Sequence, residues 1–385
     1  MDNKIVFKNL DGLRFFAFFA VFVNHAMVCL GYNHPSATYQ FIKNHLLLNG
    51  DLGVNFFFVL SGFLITYLLL AEQENHGKIN IRYFYMRRIL RIWPVYFLVV
   101  DLCLFVFPLF KNAIPSNFPL LFSADHLNAW NYMTFTGNFD YLNNGITNVL
   151  IGVLWSVSVE EQFYLFWPLV IFIIPKKYLL PTFISFVLGS IAFRYFFSNG
   201  GEDMILRYHS FSSVSDLTVG AIVAILATKE KFIAQIKNTP KLLIVSIYII
   251  FIAILPLRGL IWKLGNNYII AASLLPVLFS LFFAFIILEQ NYSDNSFYKI
   301  GKFKTISTWG KYTYGMYCYH MILFFIVLFT FNYFGVNVVS PTKYVFLIEI
   351  ILSLVFIVTV SKLSYTYFEM YFLKMKDKFL PKTQP

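Results

Sequence analysis

The sequence predicts an all-α integral membrane protein with about ten transmembrane helices and both termini in the cytoplasm. Two observations are compositional: 58% of the 385 residues are hydrophobic and only 13% are charged, whereas a typical soluble domain is about half apolar and a quarter charged. The third is the alternation of apolar runs with short basic clusters, which is typical of membrane topology. The net charge of +11 therefore indicates orientation in a lipid bilayer, and we expect no nucleic-acid partner.

Ten segments are apolar and long enough to be transmembrane helices, which need about 20 mostly apolar residues. In chain order these segments are 10–31, 52–71, 92–110, 150–174, 178–197, 211–228, 241–257, 268–288, 310–334 and 342–372. The seventh is short, and we expect the tenth to continue beyond the bilayer. The segment 111–149 is too polar to span, and we expect it to lie in the interface or to re-enter.

Lysine and arginine accumulate on the cytoplasmic side of membrane proteins, and here they predict the orientation. When the N-terminus is placed in the cytoplasm, most of the 30 basic residues fall on that side. We therefore expect one multi-pass domain over residues 1–385 in the inner (plasma) membrane, with a short cytoplasmic tail from about residue 373. The three cysteines lie far apart inside apolar runs, so we predict neither a disulfide framework nor a metal site.

The first span contains LDGLRFFAFFAVFVNHAM (residues 10–27), which carries the ionisable side chains of Arg14 and His25. An ionisable group inside a bilayer costs about 2.5–3.5 kcal/mol or more, so it is a candidate functional residue. Their spacing corresponds to about three helical turns, which puts both side chains on one helix face, roughly 16 Å apart. The alternative is that Arg14 extends to lipid headgroups and His25 pairs with a neighbouring helix.

The fourth span includes LWSVSVEEQFYLFWP (residues 154–168), with Glu160 and Glu161 near one membrane boundary. Adjacent helical residues point about 100° apart, so at most one of these carboxylates faces a given site squarely. A glutamate beside His25 would orient the imidazole and raise its basicity. The alternative is a polar cap that interacts with loop groups at the interface.

The third span is entered through RYFYMRRILRIWP (residues 82–94), a basic and aromatic run that contains Arg82, Arg87, Arg88 and Arg91. Arg88 and Arg91 are three residues apart and share a helix face. One interpretation is anchoring to anionic lipid. The other is a site for a phosphorylated cofactor, because guanidinium groups match phosphate oxygens. This run by itself leaves both interpretations open.

Three further polar residues lie within predicted spans. Ser61, in GDLGVNFFFVLSGFLI, belongs to a small-residue face with Gly53 and Gly62 that lets helices approach closely. It has no base adjacent in sequence, so we do not expect it to be a nucleophile. Asp216 and His320 are each interpreted either as functional groups or as structural pairing partners.

Together these stretches resemble the membrane-bound acyltransferase family 3, whose bacterial members O-acylate surface polysaccharides and other envelope glycans. The resemblance covers nearly the whole chain, with matching segments in the same order. These segments are LDGLRFFAFFAVFVNH, GVNFFFVLSGFLI, RRILRIWP, LWSVSVEEQFYLFWP, DLTVGAIVA and TYGMYCYH.

The resemblance implies roles for individual residues. Arg14 and His25 match the family's Arg-x10-His pair, in which the histidine is the catalytic base. Arg88 and Arg91 match its Arg-x-x-Arg motif, which is linked with the acyl donor, and Glu160 matches the first glutamate of its S-L-S-V-E-E-Q-F-Y motif. The implied donor is cytoplasmic acetyl-CoA.

The sequence departs from the family pattern in three places. Asn55 stands where many members have an acidic residue, which weakens the case for a carboxylate there. After Glu369 the sequence reads MYF, where a basic residue and proline are common. No fused esterase-like domain is recognised, so we expect transfer to be completed within the helices or by a separate protein.

The sequence therefore predicts an O-acyltransferase that moves an acetyl group from cytoplasmic acyl-CoA to a hydroxyl of an envelope glycan or lipid-linked saccharide. His25 would take the acceptor proton, with support from Glu160, and Arg14 with the arginine run would hold the donor. The alternative is a transporter or flippase without acyl-transfer chemistry. Against it, we find no paired Gly/Pro-interrupted spans in matching halves of the chain.

Overall fold

The computed structural model describes residues 7–30, 32–113, 127–145, 148–198, 204–258, 268–336, 338 and 341–379. Within these ranges the regular secondary structure is helical and no strand occurs, which confirms the predicted all-α class. Parts of the segment that we expected at the interface, residues 114–126 and 146–147, lie outside the described residues.

Ten long helices match the ten predicted spans in order. They are α1 (Leu10–Leu30), α2 (Asp51–His76), α3 (Ile81–Asp101), α4 (Trp155–Ile173), α5 (Lys176–Phe197), α6 (Ser210–Ala227), α7 (Lys241–Leu257), α8 (Tyr268–Tyr292), α9 (Thr313–Tyr333) and α10 (Lys343–Ser364). Among the described residues, nine segments are long and apolar enough to cross a membrane. Helix α7 makes a tenth when it is joined to the short helix before it, from which it is bent by 85°. About ten spans are therefore confirmed, and the side on which the termini lie stays a prediction.

Shorter helices connect or extend the long ones. They are Ala37–Ile42, Lys43–Leu47, Leu102–Val106, Phe107–Ala113, Ala129–Met133, Gly137–Asn144, Val149–Gly152, Met204–Tyr208, Glu230–Lys237, Ile300–Lys302, Lys304–Gly310, Tyr365–Glu369, Met370–Lys376 and Asp377–Phe379. The last three continue α10, as predicted for the tenth span. The two helices between residues 129 and 144 are too short to span, and the Gln162 amide of α4 donates to the Phe135 carbonyl between them at 2.8 Å.

Helix α3 begins at Ile81, well before the predicted start of its span at residue 92. The side chain of Asn80 accepts a hydrogen bond from the backbone N–H of Tyr83 at 3.0 Å and so caps the helix. The apolar span predicted from residue 92 is therefore the later part of a longer helix, whose start this cap sets. The basic run therefore lies on α3 itself, with Arg88 and Arg91 one turn apart on a formed helix.

Helices α2 and α6 cross at glycine residues. A Cβ atom at Gly62 would lie 1.8 Å from the carbonyl oxygen of Leu217, and one at Gly220 would lie 1.9 Å from the carbonyl oxygen of Val59. No side chain fits at such distances, so the two backbones meet directly. The close approach predicted for Gly62 is therefore observed, whereas Gly53 packs on Ala17 of α1, so the two glycines do not form the single predicted face. The contact at Gly62 brings the polar groups of α2 and α6 together.

Helices α1 and α9 pack through aromatic rings. The centroids of Phe18 and His320 are 5.9 Å apart, and those of Phe22 and Phe324 are 6.2 Å apart, both edge to face. Such pairs favour a defined mutual orientation of the two helices. His25 lies two turns beyond Phe18 on α1, and this packing brings it to the polar atoms of α9.

Candidate active site

A hydrogen-bonded chain joins α1 to α9 at His25. Nδ1 of His25 lies 2.8 Å from Nε2 of His320, and Nδ1 of His320 lies 2.6 Å from the carbonyl oxygen of Tyr317. His320 is fully buried, whereas His25 is half-buried. The observed hydrogen-bond partner of the His25 ring is therefore a histidine, where the sequence predicted a glutamate.

The carbonyl of Tyr317 fixes the protons in this chain. A carbonyl oxygen only accepts, so Nδ1 of His320 carries a proton and its Nε2 is the acceptor. Nε2 of His320 then receives its hydrogen bond from Nδ1–H of His25. This arrangement leaves the free lone pair on Nε2 of His25, and a neutral histidine held in that tautomer can act as a general base.

A cavity of about 120 Å³ lies among α1, α2, α3, α4 and the start of α9. We call it the arginine cavity, because its charged lining residues are Arg14, Arg88, Arg91, Lys311 and Glu160. Arg14 is paired at 2.5 Å with Asp11, which lies outside this lining. Three cations and the single carboxylate of Glu160 remain, which makes the cavity complementary to an anionic ligand. With Ser61, which also lines it, the structure brings together five of the site residues that the sequence predicted from four separate stretches.

Glu160 is held in the arginine cavity by two hydroxyl groups. Oγ of Ser61 donates to Oε1 of Glu160 at 2.9 Å, and the hydroxyl of Tyr164 donates to Oε2 at 2.9 Å. Hydrogen bonds to a carboxylate are stronger than those between neutral groups, so they fix its position. These two bonds take the place of the predicted contact between Glu160 and His25, and they give Ser61 a role as a partner of the carboxylate.

Glu161 points away from Glu160, as expected for adjacent helical residues. Its Oε2 accepts a hydrogen bond from Nε1 of Trp93 on α3 at 2.9 Å. Its Oε1 is buried and has no hydrogen-bond partner among the described residues. Of the two glutamates, Glu160 is therefore the one that lines the arginine cavity.

The four arginines of the basic run do not act as one cluster. Arg88 and Arg91 line the arginine cavity. Arg87 instead forms an ion pair with Glu72 at 2.7 Å, and Arg82 is exposed at the surface. The expectation that all four hold the donor is therefore supported by position for Arg88 and Arg91 alone.

A second cavity, of about 330 Å³, lies beside the opposite end of α1 from Arg14. Helix α2 runs antiparallel to α1, since Gly50 packs on Asn24 and Gly53 on Ala17, and the second cavity surrounds the start of α2. We call it the distal cavity; its charged lining residues are Asp51, Arg194, Arg207, Asp216 and Arg258. The two cavities share Val54 and Phe58 of α2 as a common wall.

The distal cavity contains two of the remaining sequence candidates, Asn55 and Asp216. The Asn55 amide donates to Oδ2 of Asp216 at 2.6 Å, and the Ser280 hydroxyl donates to Oδ1 at 2.6 Å. The departure from the family pattern at Asn55 thus has a structural consequence, because an amide donates to Asp216 where a second carboxylate would repel it.

Sequence analysis missed the three arginines of the distal cavity. Arg194 lies inside the fifth predicted span, so the cost of placing a charge in a membrane was a signal that could have identified it. Arg207 and Arg258 lie outside the predicted spans, where basic residues are ordinary. Only the folded chain places them opposite Asp51.

The helices and the two charged cavities define a multi-pass membrane protein with polar sites inside the bundle. Comparison with known families gives its class: the acyltransferase family 3 profile, described as Acyltransferase domain, matches residues 7–365. The chain therefore belongs to this acyltransferase family, which confirms the resemblance seen in the sequence. No solved structure matches the chain.

Curated relatives include the O-acetyltransferase OatA of Staphylococcus aureus strain NCTC 8325. It is 29% identical over 253 residues, which are 63% of this chain and 38% of OatA. OatA of Staphylococcus aureus strain COL matches with the same values. The alignment thus covers well under half the length of these relatives.

Among the described residues, no group of three or more His, Cys, Asp or Glu side chains is placed to hold a metal ion.

Proposed function

We propose that this chain is an inner-membrane O-acetyltransferase that moves an acetyl group from acetyl-CoA to a hydroxyl of an envelope glycan or lipid-linked saccharide. The observation that carries the proposal is the hydrogen-bonded series from His25 through His320 to the carbonyl of Tyr317. It leaves a basic nitrogen on His25, and Tyr317 at its other end lines the arginine cavity. Membership in the acyltransferase family and the similarity to OatA support the same chemistry.

The arginine cavity suits the reactive end of the donor. CoA carries several phosphate charges, and guanidinium groups form charge-assisted hydrogen bonds with phosphate. The volume of about 120 Å³ is below the 300–1,000 Å³ typical of sites for drug-sized ligands. We therefore propose that the acetyl thioester lies inside the cavity and that Arg88 and Arg91 contact a phosphate of CoA at its entrance, near the exposed Lys311.

The proposed reaction is a direct transfer through a tetrahedral intermediate. Nε2 of His25 takes the acceptor hydroxyl proton as the oxygen bonds to the thioester carbonyl carbon, and the C–S bond then breaks. The proton on His25 passes to the departing CoA sulfur. A guanidinium group of the arginine cavity stabilises the oxyanion, while Nε2 of His320 accepts from His25 throughout and holds the imidazolium in place.

The test is acetyl transfer by the full chain reconstituted in lipid, given radiolabelled acetyl-CoA and total envelope glycan. The wild-type protein should release CoA thiol and leave alkali-labile acetyl ester on the glycan. His25→Ala should reduce both by about 10²-fold or more, the usual contribution of a general base. The matched control His34→Ala changes an exposed histidine and should behave as wild type.

Two results would overturn the proposal. One is a wild-type protein that produces neither CoA thiol nor acetyl ester, as expected of a transporter or flippase. The other is a His25→Ala protein that keeps more than about a tenth of wild-type turnover, because general-base catalysis contributes more than that.

A further inference from the structure

The distal cavity has the dimensions and the composition of a ligand site. The proposed function assigns the donor to the arginine cavity and leaves the distal cavity without a ligand. Its volume of about 330 Å³ falls in the range of small-molecule sites. The half-buried Trp155 forms part of its wall, and so do Asn44, Asn49 and Asn55. An aromatic surface beside several amide groups suits a polyhydroxylated ligand, because amides both donate and accept hydrogen bonds.

Two charge pairs account for most of the charge of the distal cavity. Arg258 contacts Asp51 through both guanidinium nitrogens, and its Nη1 also donates to Oδ1 of Asn49 at 3.0 Å. Arg194 reaches Asp216 through Ser215: its Nη1 donates to Oγ of Ser215 at 2.9 Å, and that hydroxyl donates to Oδ1 of Asp216 at 3.4 Å. Each aspartate therefore already has a guanidinium neighbour.

Arg207 is the surplus cation of the distal cavity. Its Nη2 lies 3.9 Å from a carboxylate oxygen of Asp51, which Arg258 already engages, and its side chain is 58% exposed. A second donor is also free: Nη2 of Arg194, a residue that is 1% exposed, has no hydrogen-bond partner among the described residues. A buried donor without a partner is costly unless a ligand or water satisfies it.

The distal cavity also lies close to the proposed base. Asn24, which precedes His25, packs against Gly50, and the residues on both sides of Gly50 line the distal cavity. Nη2 of Arg207 lies 3.9 Å from the carboxylate of Asp51, the residue that follows Gly50. A ligand that contacts Arg207 is therefore held near His25, and the distal cavity adjoins the arginine cavity at Val54 and Phe58, which line both.

We propose that the distal cavity is the acceptor site and that it selects an anionic saccharide, whose carboxylate or phosphate pairs with Arg207 and with the free N–H of Arg194. This inference rests on the proposed O-acetyltransferase function and adds the charge class of its acceptor. The two cavities then divide the reaction, with the acetyl donor in the arginine cavity and the acidic acceptor in the distal cavity.

The test compares matched probes that differ in charge. Trigalacturonate supplies carboxylates, galactose 1-phosphate supplies a phosphate, and galactotriose is the neutral control. Binding is measured by calorimetry on the full-length His25→Ala protein in lipid nanodiscs, so that no turnover interferes. We expect at least one anionic probe to bind about tenfold or more tightly than galactotriose, because hydrogen bonds to charged groups are the stronger ones.

A second substitution in that protein identifies the anion contact. Arg207→Gln, at a largely exposed side chain, should remove the preference for the anionic probe, and Arg207→Lys should restore part of it. Lys343→Gln, at an exposed lysine that begins α10, is the matched control and should keep the preference. If trigalacturonate responds, the anion is a sugar carboxylate; if galactose 1-phosphate responds, it is a phosphate.

The failures of the two proposals are distinguishable. Equal binding of charged and neutral probes, or a preference that survives Arg207→Gln, overturns the acidic-acceptor proposal even if acetyl transfer by the wild-type protein is observed. Conversely, Arg207-dependent binding of an anionic probe in a protein without acetyl transfer supports the site and removes the enzymatic function.

Discussion

The arginine cavity and the distal cavity are each lined by five charged side chains, but the two sets are balanced differently. The arginine cavity has four cations and one carboxylate, and that carboxylate is hydrogen-bonded to hydroxyls of Ser61 and Tyr164. The distal cavity has three cations and two carboxylates, and both carboxylates have guanidinium neighbours. A similar number of charges can therefore create two sites that favour different ligands.

The two cavities also differ in the hydrogen-bond donors that are available to a ligand. In the arginine cavity, Nε of Arg88 is buried without a hydrogen-bond partner among the described residues, and its guanidinium lies 5.7 Å from the Tyr164 ring. In the distal cavity, the pair between Arg258 and Asp51 holds the wall together, and the surplus is a single cation. A polyanion such as CoA suits the first cavity, and a ligand with one anionic group suits the second.

The largest expected effect comes from breaking the hydrogen-bonded series from His25 through His320 to Tyr317. His320→Ala removes the acceptor that orients His25, so we expect acetyl-transfer kcat to fall by about 10²-fold with little change in donor KM. The double variant His25→Ala/His320→Ala should be no slower than His25→Ala alone, because His320 acts only by orienting His25. Steady-state kinetics with varied acetyl-CoA measures this.

Tyr317→Phe is the matched control for His320→Ala, because it removes a hydroxyl and keeps the backbone carbonyl to which His320 donates. It should therefore retain far more activity than His320→Ala. Near-wild-type kcat in the His320→Ala protein would show that the base needs no positioning partner.

A smaller effect should separate the arginines of the two cavities. Arg88→Lys and Arg91→Lys keep the charge but lose the planar fork that binds phosphate, so we expect each to raise the Kd for CoA by about tenfold, a cost of one charge-assisted hydrogen bond. Calorimetric titration of CoA into the detergent-solubilised proteins measures this. Arg258→Lys, the counterpart in the distal cavity, should leave CoA affinity unchanged.

Arg82→Lys provides the control within the basic run, because Arg82 is exposed and lies outside the arginine cavity. It should change CoA affinity little. Unaltered affinity in both the Arg88→Lys and the Arg91→Lys proteins would assign these arginines to lipid anchoring.

The substitutions with the smallest expected effect on activity are single cysteines at surface lysines, which test on which side of the membrane each cavity lies. Single cysteines at Lys43 and Lys343 should react with an impermeant maleimide from outside the cell, and those at Lys177, Lys231 and Lys302 should react only after the membrane is opened. A cysteine-free background makes the labelling specific, and activity should change little. One reversed position would contradict the ten-helix topology, and reversal of all five would invert the orientation and exchange the sides of the two cavities.

Local sequence patterns predicted the spans well because a transmembrane helix is largely a matter of apolar length. The predicted segment 241–257 coincides with α7, Lys241–Leu257. The divergence of Glu160 and Glu161 also followed from helix geometry alone. The start of α3 could not be predicted from hydropathy, because it depends on the hydrogen bond by which Asn80 caps the helix.

The partner of His25 could not be predicted in the same way. His320 is 295 residues away in the chain, and the sequence offered Glu160 as a closer match to a familiar acid–base pair. Helical periodicity states which residues share a face but not which face of another helix lies opposite. The packing of Phe18 and Phe22 on α9 determines which face of α9 lies opposite His25.

The sequence by itself determined the all-α membrane class, the number and order of the spans, the family, and the shared face of Arg88 and Arg91. These properties depend on apolar length and on the repeat of one helix, which neighbouring residues specify. Only the tertiary structure decided that His25 meets His320, that Glu160 meets Ser61, and that Arg207 remains without a carboxylate of its own. Such contacts depend on how close two backbones can approach, and the glycine crossing of α2 and α6 sets that distance for much of the bundle.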